Sequence, residues 1–131
     1  MHDATVYIVD DEEAVSHMLA EMVRSGGFAA ETYASAEEFL SRARPDPPCC
    51  LILDVRMPGS SGFDLQDRLA SAGVAIPIIF LTGFGSVAGS VRAMKAGAVD
   101  FLEKPVSYHV LLATVCNAIE RSTLERSPDP A

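Results

Sequence analysis

Five short runs of aliphatic, β-branched and aromatic residues alternate along this chain with five stretches whose apolar residues recur at helical spacing. The runs are Thr5 to Val9, Phe28 to Tyr33, about Cys50 to Asp54, Ile76 to Leu81 and Val99 to Leu102. Short, nearly continuous apolar runs of this kind read as strands buried on both faces, as in parallel sheets. In the first helical stretch Val15, Met18, Leu19, Met22 and Val23 form the apolar stripe, and Gly26-Gly27 ends it. Ser35 with Glu38 has the capping-box form and opens a second helix that runs to Arg42 or Ala43. Phe63, Leu65 and Leu69 share one face of a third, which stops at Gly73. Ser86 caps a fourth, with Val87, Val91 and Met94 at helical spacing before Gly97. Gly89 within it costs about 1 kcal/mol relative to Ala. The last helix is expected from about Ser107 to Arg121, with Val110, Leu111, Thr114, Val115 and Ile119 inward. Strict alternation implies a parallel sheet covered on both faces and joined by right-handed crossovers. The expected fold class is therefore α/β, a doubly wound parallel sheet with helices on both faces, and the (βα)5 flavodoxin-like order 2-1-3-4-5 is the arrangement expected for its strands.

In such sheets ligands bind outside the carboxyl ends of the strands, where strand order reverses. Polar residues collect at those ends here. Asp10 and Asp11 end the first strand, Asp54 the third, Thr82 the fourth and Lys104 the fifth. Taken singly, each has an ordinary explanation: acidic pairs cap helices, a Thr at a strand end is structural, and Lys-Pro makes a turn. Together, three crowded carboxylates need compensation, since two unit charges about 4 Å apart at an effective dielectric near 20 repel by roughly 4 kcal/mol. A hard divalent cation and the Lys104 ammonium would supply it, and Mg²⁺ suits best because it leaves positions for phosphate oxygens. The chemistry this permits is transfer of a phosphoryl group onto Asp54, with Lys104 and Thr82 at the phosphoryl oxygens.

Composition excludes several other classes. A chain of 131 residues fits one domain. A net charge of -8 makes it a poor nucleic-acid binder by itself. No apolar run approaches the length of a membrane span, and Met1-His2-Asp3 has no secretory character, so a cytoplasmic location is expected. Cys49, Cys50 and Cys116 are expected to be buried, reduced thiols, at spacings that match no zinc pattern.

The motifs Val9-Asp10-Asp11-Glu12, Leu53-Asp54-Val55-Arg56-Met57-Pro58-Gly59, Leu81-Thr82-Gly83 and Phe101-Leu102-Glu103-Lys104-Pro105, in that order, resemble the receiver domain of bacterial two-component response regulators. The stretch from Thr82 through Ala93-Met94-Lys95-Ala96-Gly97-Ala98-Val99-Asp100-Phe101 to Pro105 is similar to the FixJ-like subgroup. The resemblance covers residues 5 to about 121. It implies that Asp54 accepts phosphate from the histidine of a sensor kinase, a self-catalysed step with slow autodephosphorylation rather than enzymatic turnover. It also implies that Asp11, Asp54 and the backbone carbonyl of Arg56 ligate Mg²⁺, with Asp10 acting through water. Lys104 would pair with the phosphoryl group, Thr82 and Phe101 would form the switch pair, and Lys104-Pro105 would be cis. Phe101 lacks the hydroxyl of the Tyr often found there, so an inward ring is expected even before phosphorylation.

Residues 1-121 then form the receiver, and 122-131 a polar tail or the start of a linker to a C-terminal output domain that this stretch does not supply. DNA binding would belong to that domain. The alternative is a stand-alone receiver acting in a phosphorelay or on a protein target. Helix four, strand five and helix five would carry a phosphorylation-dependent homodimer face, with Val87, Val91 and Lys95 outward. Equally, those valines could simply pack inward. An aspartyl-phosphate hydrolase would need an Asp where Arg56 stands, and an FMN-binding first loop would be repelled by Asp10-Asp11-Glu12-Glu13.

Overall fold

The computed structural model describes residues 4–46, 48–57, 60–83 and 87–126. Strands β1 (Thr5–Val9), β2 (Ala29–Tyr33), β3 (Cys49–Leu53), β4 (Ile78–Thr82) and β5 (Asp100–Glu103) form one parallel sheet, in the expected order β2-β1-β3-β4-β5. Helices α1 (Glu13–Ser25), α2 (Ala36–Arg42), α3 (Gly62–Ser71), α4 (Val87–Lys95) and α5 (Tyr108–Arg126) connect and cover it. A two-residue antiparallel ladder pairs Arg56–Met57 with Ser60–Ser61 ahead of α3.

Alternation along the strands divides the apolar residues between two layers. Tyr7, Val9, Leu51, Leu53 and Phe80 pack with Phe39 of α2, Leu65 and Leu69 of α3 and Ala93 of α4. Val6, Ile8, Cys50, Ile52 and Ile79 pack on the other face with Leu19 and Val23 of α1 and Leu111 and Val115 of α5. The three inner strands are buried almost throughout, whereas β2 and β5 lie at the sheet edges and are largely open to solvent or half-buried. This is why the inner runs are the most apolar in the sequence.

Register sets the site. Val9 stands opposite Leu53 and Thr82 opposite Glu103. The next residues, Asp10, Asp54 and Lys104, therefore emerge together at one edge. Backbone bonds extend the ladder past the strands: Asp54 N–H donates to the Val9 carbonyl at 3.1 Å and Lys104 N–H to the Thr82 carbonyl at 2.8 Å. The Lys104-Pro105 peptide is cis. At α3 both halves of a capping box form between Ser61 and Asp64.

Several expectations need correction. Met18 is 45% exposed, because the buried arc of α1 is Ser16, Leu19, Ala20 and Val23. Small Ser16 and Ala20 sit against the sheet, and the Ser16 hydroxyl donates to the Asp10 carbonyl. Val110 is 48% exposed, since Leu111, Thr114, Val115, Ala118 and Ser122 form the inward stripe of α5. That helix does not stop at Arg121. It continues to Arg126, and Ser122, expected to begin a polar tail, is buried and its hydroxyl accepts the Cys49 N–H at 2.9 Å. Cys49 and Cys50 are buried as expected, but Cys116 is exposed. Desolvation pushes the Cys50 thiol well above its ordinary pKa, so it is a neutral packing group. The expected cap Ser86, the Pro58-Gly59 turn, the Phe84-Gly85 segment, the side chain of Val87 and the tail from residue 127 lie outside the described residues. No helix among the described residues is long and apolar enough to cross a membrane.

Candidate functional site

Asp10 is buried at the end of β1, and each of its oxygens has a partner. Oδ1 accepts the Glu12 N–H at 2.9 Å, which satisfies an amide at the start of α1 where the Glu12 side chain does not. Oδ2 accepts from Lys104 Nζ at 2.9 Å. Asp54, 6% exposed, is arranged alike across the β1–β3 boundary. Its Oδ1 takes the Arg56 N–H at 3.2 Å and its Oδ2 takes Lys104 Nζ at 3.1 Å. The ammonium therefore bridges two buried carboxylates, with Glu12 Oε1 a further 3.9 Å contact.

Asp54 and Lys104 are both shifted. Burial pushes the Asp54 carboxyl above its ordinary value and the Asp10 charge adds to this, while the Arg56 N–H and Lys104 pull it back only in part. Burial by itself would lower Lys104, but its bonds to Asp10 and Asp54 outweigh that and raise it. A simple ion pair would depress its acid as it raises its base. Here the base is raised because it serves two anions, and the acid is raised because its half share of one cation does not repay its desolvation.

Asp10, Glu12 and Asp54 each offer a carboxylate oxygen, and these atoms lie within 4.8 Å of one another. An all-oxygen, carboxylate-rich set suits a hard divalent cation. Asp11 is exposed and lies outside that group, but it lines the adjoining cavity of about 250 Å³ together with Glu12, Asp54, Arg56, Gly83 and Lys104. Asp10, Asp11, Asp54, Arg56 and Lys104 thus share one strand-edge site. Sequence reasoning gave no role to Glu12. The signal was the third acid of Asp10-Asp11-Glu12, but only the turn into α1 brings it back over the site.

Thr82 is fully buried at the end of β4. Phe101 of β5 is half-buried, its ring centroid 5.9 Å from that of Phe80, which in turn stacks 5.2 Å from Phe63. At the start of α3, Gly62 N–H donates to the Val55 carbonyl at 2.8 Å. A methyl group at Gly62 would collide with the Asp54 backbone carbonyl, so glycine is required for α3 to approach the site this closely.

A doubly wound sheet with two buried aspartates, a bridging lysine and a threonine at adjacent strand ends defines a receiver-type signalling domain. The family model for the response regulator receiver domain matches residues 6–116, and the chain belongs to that family. Within it, the relatives identify a FixJ-like receiver. The chain is 46% identical to Transcriptional regulatory protein FixJ of Rhizobium meliloti over 94% of its own length and 58% of that protein. It is 46% identical to Nodulation protein W of Bradyrhizobium diazoefficiens over 94% of its length and 54% of that protein. It thus spans little more than half the length of these curated relatives. Among solved structures, FixJ-N superposes with a TM-score of 0.83 at 46% identity, covering 92% of this chain and 96% of that one. The response regulator StyR gives 0.88 at 42% identity, covering 95% and 63%.

Proposed function

We propose that Asp54 is the phosphoacceptor of a two-component switch, taking its phosphoryl group from the histidine of a sensor kinase. The observation that carries this reading is the Lys104 ammonium bridging the buried carboxylates of Asp10 and Asp54 at 2.9 and 3.1 Å. A carboxylate oxygen of Asp54 forms the new bond to phosphorus. The bond from phosphorus to the donor nitrogen breaks, and the imidazole leaves with the electron pair. Lys104 swings from the Asp54 carboxylate to a phosphoryl oxygen, and the Thr82 hydroxyl takes another. Asp11, Asp54 and the Arg56 carbonyl would hold Mg²⁺, with Asp10 acting through water and Glu12 beside them, and the ion would supply charge to offset that on the phosphoryl oxygens. The domain undergoes this self-catalysed modification and slow reversal and is not a turnover enzyme.

The phosphoryl group adds roughly -1.5 to -2 charge at Asp54. Drawing the Thr82 hydroxyl toward it opens space beside β5 that Phe101, already against Phe80, fills further. The reporting surface is α4, β5 and α5. Val91 and Met94 of α4 and Val110 of α5 are each nearly half exposed there, and Lys95 is exposed, which supports a phosphorylation-dependent homodimer through that face. The greater length of the relatives, among them Transcriptional regulatory protein FixJ, supports a regulator whose DNA binding resides in a further C-terminal domain, and we place it in the cytoplasm.

The test is incubation with Mg²⁺ and a small acyl-phosphate donor, read by intact mass. Wild type should gain one phosphoryl adduct, and Asp54→Asn none. An undiminished adduct on Asp54→Asn removes Asp54 from the role.

A further inference from the structure

Of the α4 side chains that the structure describes, only that of Ala93 is buried, and Gly89 inside the helix lowers its intrinsic stability. Three residues on one face of α3 reach it. Phe63, Gln66 and Asp67 stand there at spacings of three and four residues. Gln66 is 5% exposed, and its Nε2 donates to the Ala93 carbonyl at 3.3 Å. Arg92 Nη2 lies 3.6 Å from Asp67 Oδ2, and its Cζ stands 4.6 Å from the centre of the Phe63 ring. One guanidinium of α4 thus grips α3 twice, by charge and by stacking.

Phe63 follows Gly62, which packs against the Asp54 carbonyl, so the ring beneath Arg92 is anchored one residue from a contact with the Asp54 backbone. It also ends a row of three rings, with Phe101 5.9 Å from Phe80 and Phe80 5.2 Å from Phe63. Arg92 and Phe63 further share the wall of an open cavity of about 680 Å³ with Asp11 and Arg56 of the site. We infer that Arg92 is a positioning residue that latches α4 onto α3 in the resting domain, and that phosphorylation releases the latch. This rests on the reading of Asp54 as phosphoacceptor and of α4 as part of the reporting surface. Closely packed rings do not move singly. Phe101 turning further inward displaces Phe80 and then Phe63, on which the guanidinium sits. Asp67 and Arg92 are both more than half exposed, so their grip is weak enough for such a shift to break. A weak latch suits a switch, because a strong one would hold α4 in place whatever happened at Asp54.

Hydrogen exchange in the unphosphorylated chain tests the latch by itself. In Arg92→Gln the α4 amides should exchange about three- to tenfold faster, together with those of Ala96 and Gly97, which close its last turn on the Arg92 and Met94 carbonyls. Amides of β3 and β4 should keep their rates. Arg92 also lies in the last turn of α4, where positive charge favours the helix on its own, so a second variant isolates the latch. Asp67→Asn removes the partner on α3 and leaves α4 untouched. It should speed the same amides in the wild-type background and have no effect on top of Arg92→Gln. Arg92→Lys keeps the charge but not the planar face, and should fall between. After phosphoryl uptake from an acyl-phosphate donor with Mg²⁺, wild type and Arg92→Gln should exchange alike in α4. Unchanged α4 exchange in Arg92→Gln, an Asp67→Asn effect that survives in the Arg92→Gln background, or a difference that persists after phosphoryl uptake would overturn the latch. If no adduct forms, the phosphoacceptor reading is what fails, and the comparison in the unphosphorylated chain still decides whether Arg92 holds α4.

Discussion

Asp54 carries its charge where only 6% of its surface meets water, and the ammonium beside it is shared with Asp10. A carboxyl raised above its ordinary pKa opposes folding by its charge at neutral pH. That penalty is present in full above the folded pKa and disappears as pH falls through it, because the native state then binds the proton more tightly than the unfolded chain. Asp54→Asn should therefore melt higher than wild type at neutral pH, by about 2–4 °C for a domain of this size. The difference should shrink as the pH is lowered from neutrality through the raised folded value toward the ordinary carboxylate range, as the linkage sign requires. Thermal melts of both proteins across that range check it, and a wild type that melts higher throughout would refute it. Lys104 has the opposite sense. Its raised pKa contributes stability that is present below the ordinary lysine value and lost as pH rises through the folded one. Lys104→Met leaves two buried carboxylates facing each other and should cost about 1–3 kcal/mol, less than a fully buried pair because the lysine is 18% exposed. Mg²⁺ should recover more stability in this variant than in wild type, as urea melts with and without the ion would show.

At the scale of elements, two contacts hold helices to the strands that carry the site. The first turn of α3 lies against the Asp54 backbone, which only a glycine at position 62 allows. Gly62→Ala should force the β3–α3 turn to shift, cost about 1–3 kcal/mol as overpacking does, and slow phosphoryl uptake as well. Denaturant melts and the rate of mass gain test the two effects on the same variant. The second contact is Ser122, which secures α5 to the entry of β3 by accepting the Cys49 N–H. Ser122→Ala leaves that buried amide unsatisfied and should cost about 1–3 kcal/mol in a urea melt. A change near zero would mean that water replaces the hydroxyl.

For the whole molecule, the two edges of one parallel sheet divide the chemistry. Carboxylates, lysine and threonine gather where the strands end, and a cavity of mixed polar and apolar lining lies where β4 and β5 begin. Mg²⁺ binding at the first edge should compete with protons for Asp54, so the stabilisation by a fixed Mg²⁺ concentration should fall as the pH is lowered from neutrality. The fold was legible because each inner strand is a continuous apolar run and each helix keeps its period. The site was legible because α/β sheets put the ends of adjacent strands side by side, so residues 10, 54, 82 and 104 could be gathered without coordinates. The phase of a helix was less legible. Periodicity names an apolar arc but not which part of it the sheet covers, and Met18 and Val110 lie just outside the covered part while Ser16 and Ser122 lie within it. The end of α5 was illegible for a related reason, since the partner that buries Ser122 lies 73 residues away in sequence.

The sequence by itself determined the element order and the strand ends that carry the polar groups, because these follow from local periodicity, while the sheet order came with the flavodoxin-like fold it resembles. Tertiary structure decided which atoms meet. It set one lysine between two aspartates, turned Glu12 rather than Asp11 into the tightest carboxylate group, and set Arg92 of α4 over the Phe63 ring of α3. Such placements depend on side-chain reach and on packing between residues far apart in the chain, and no local pattern encodes them.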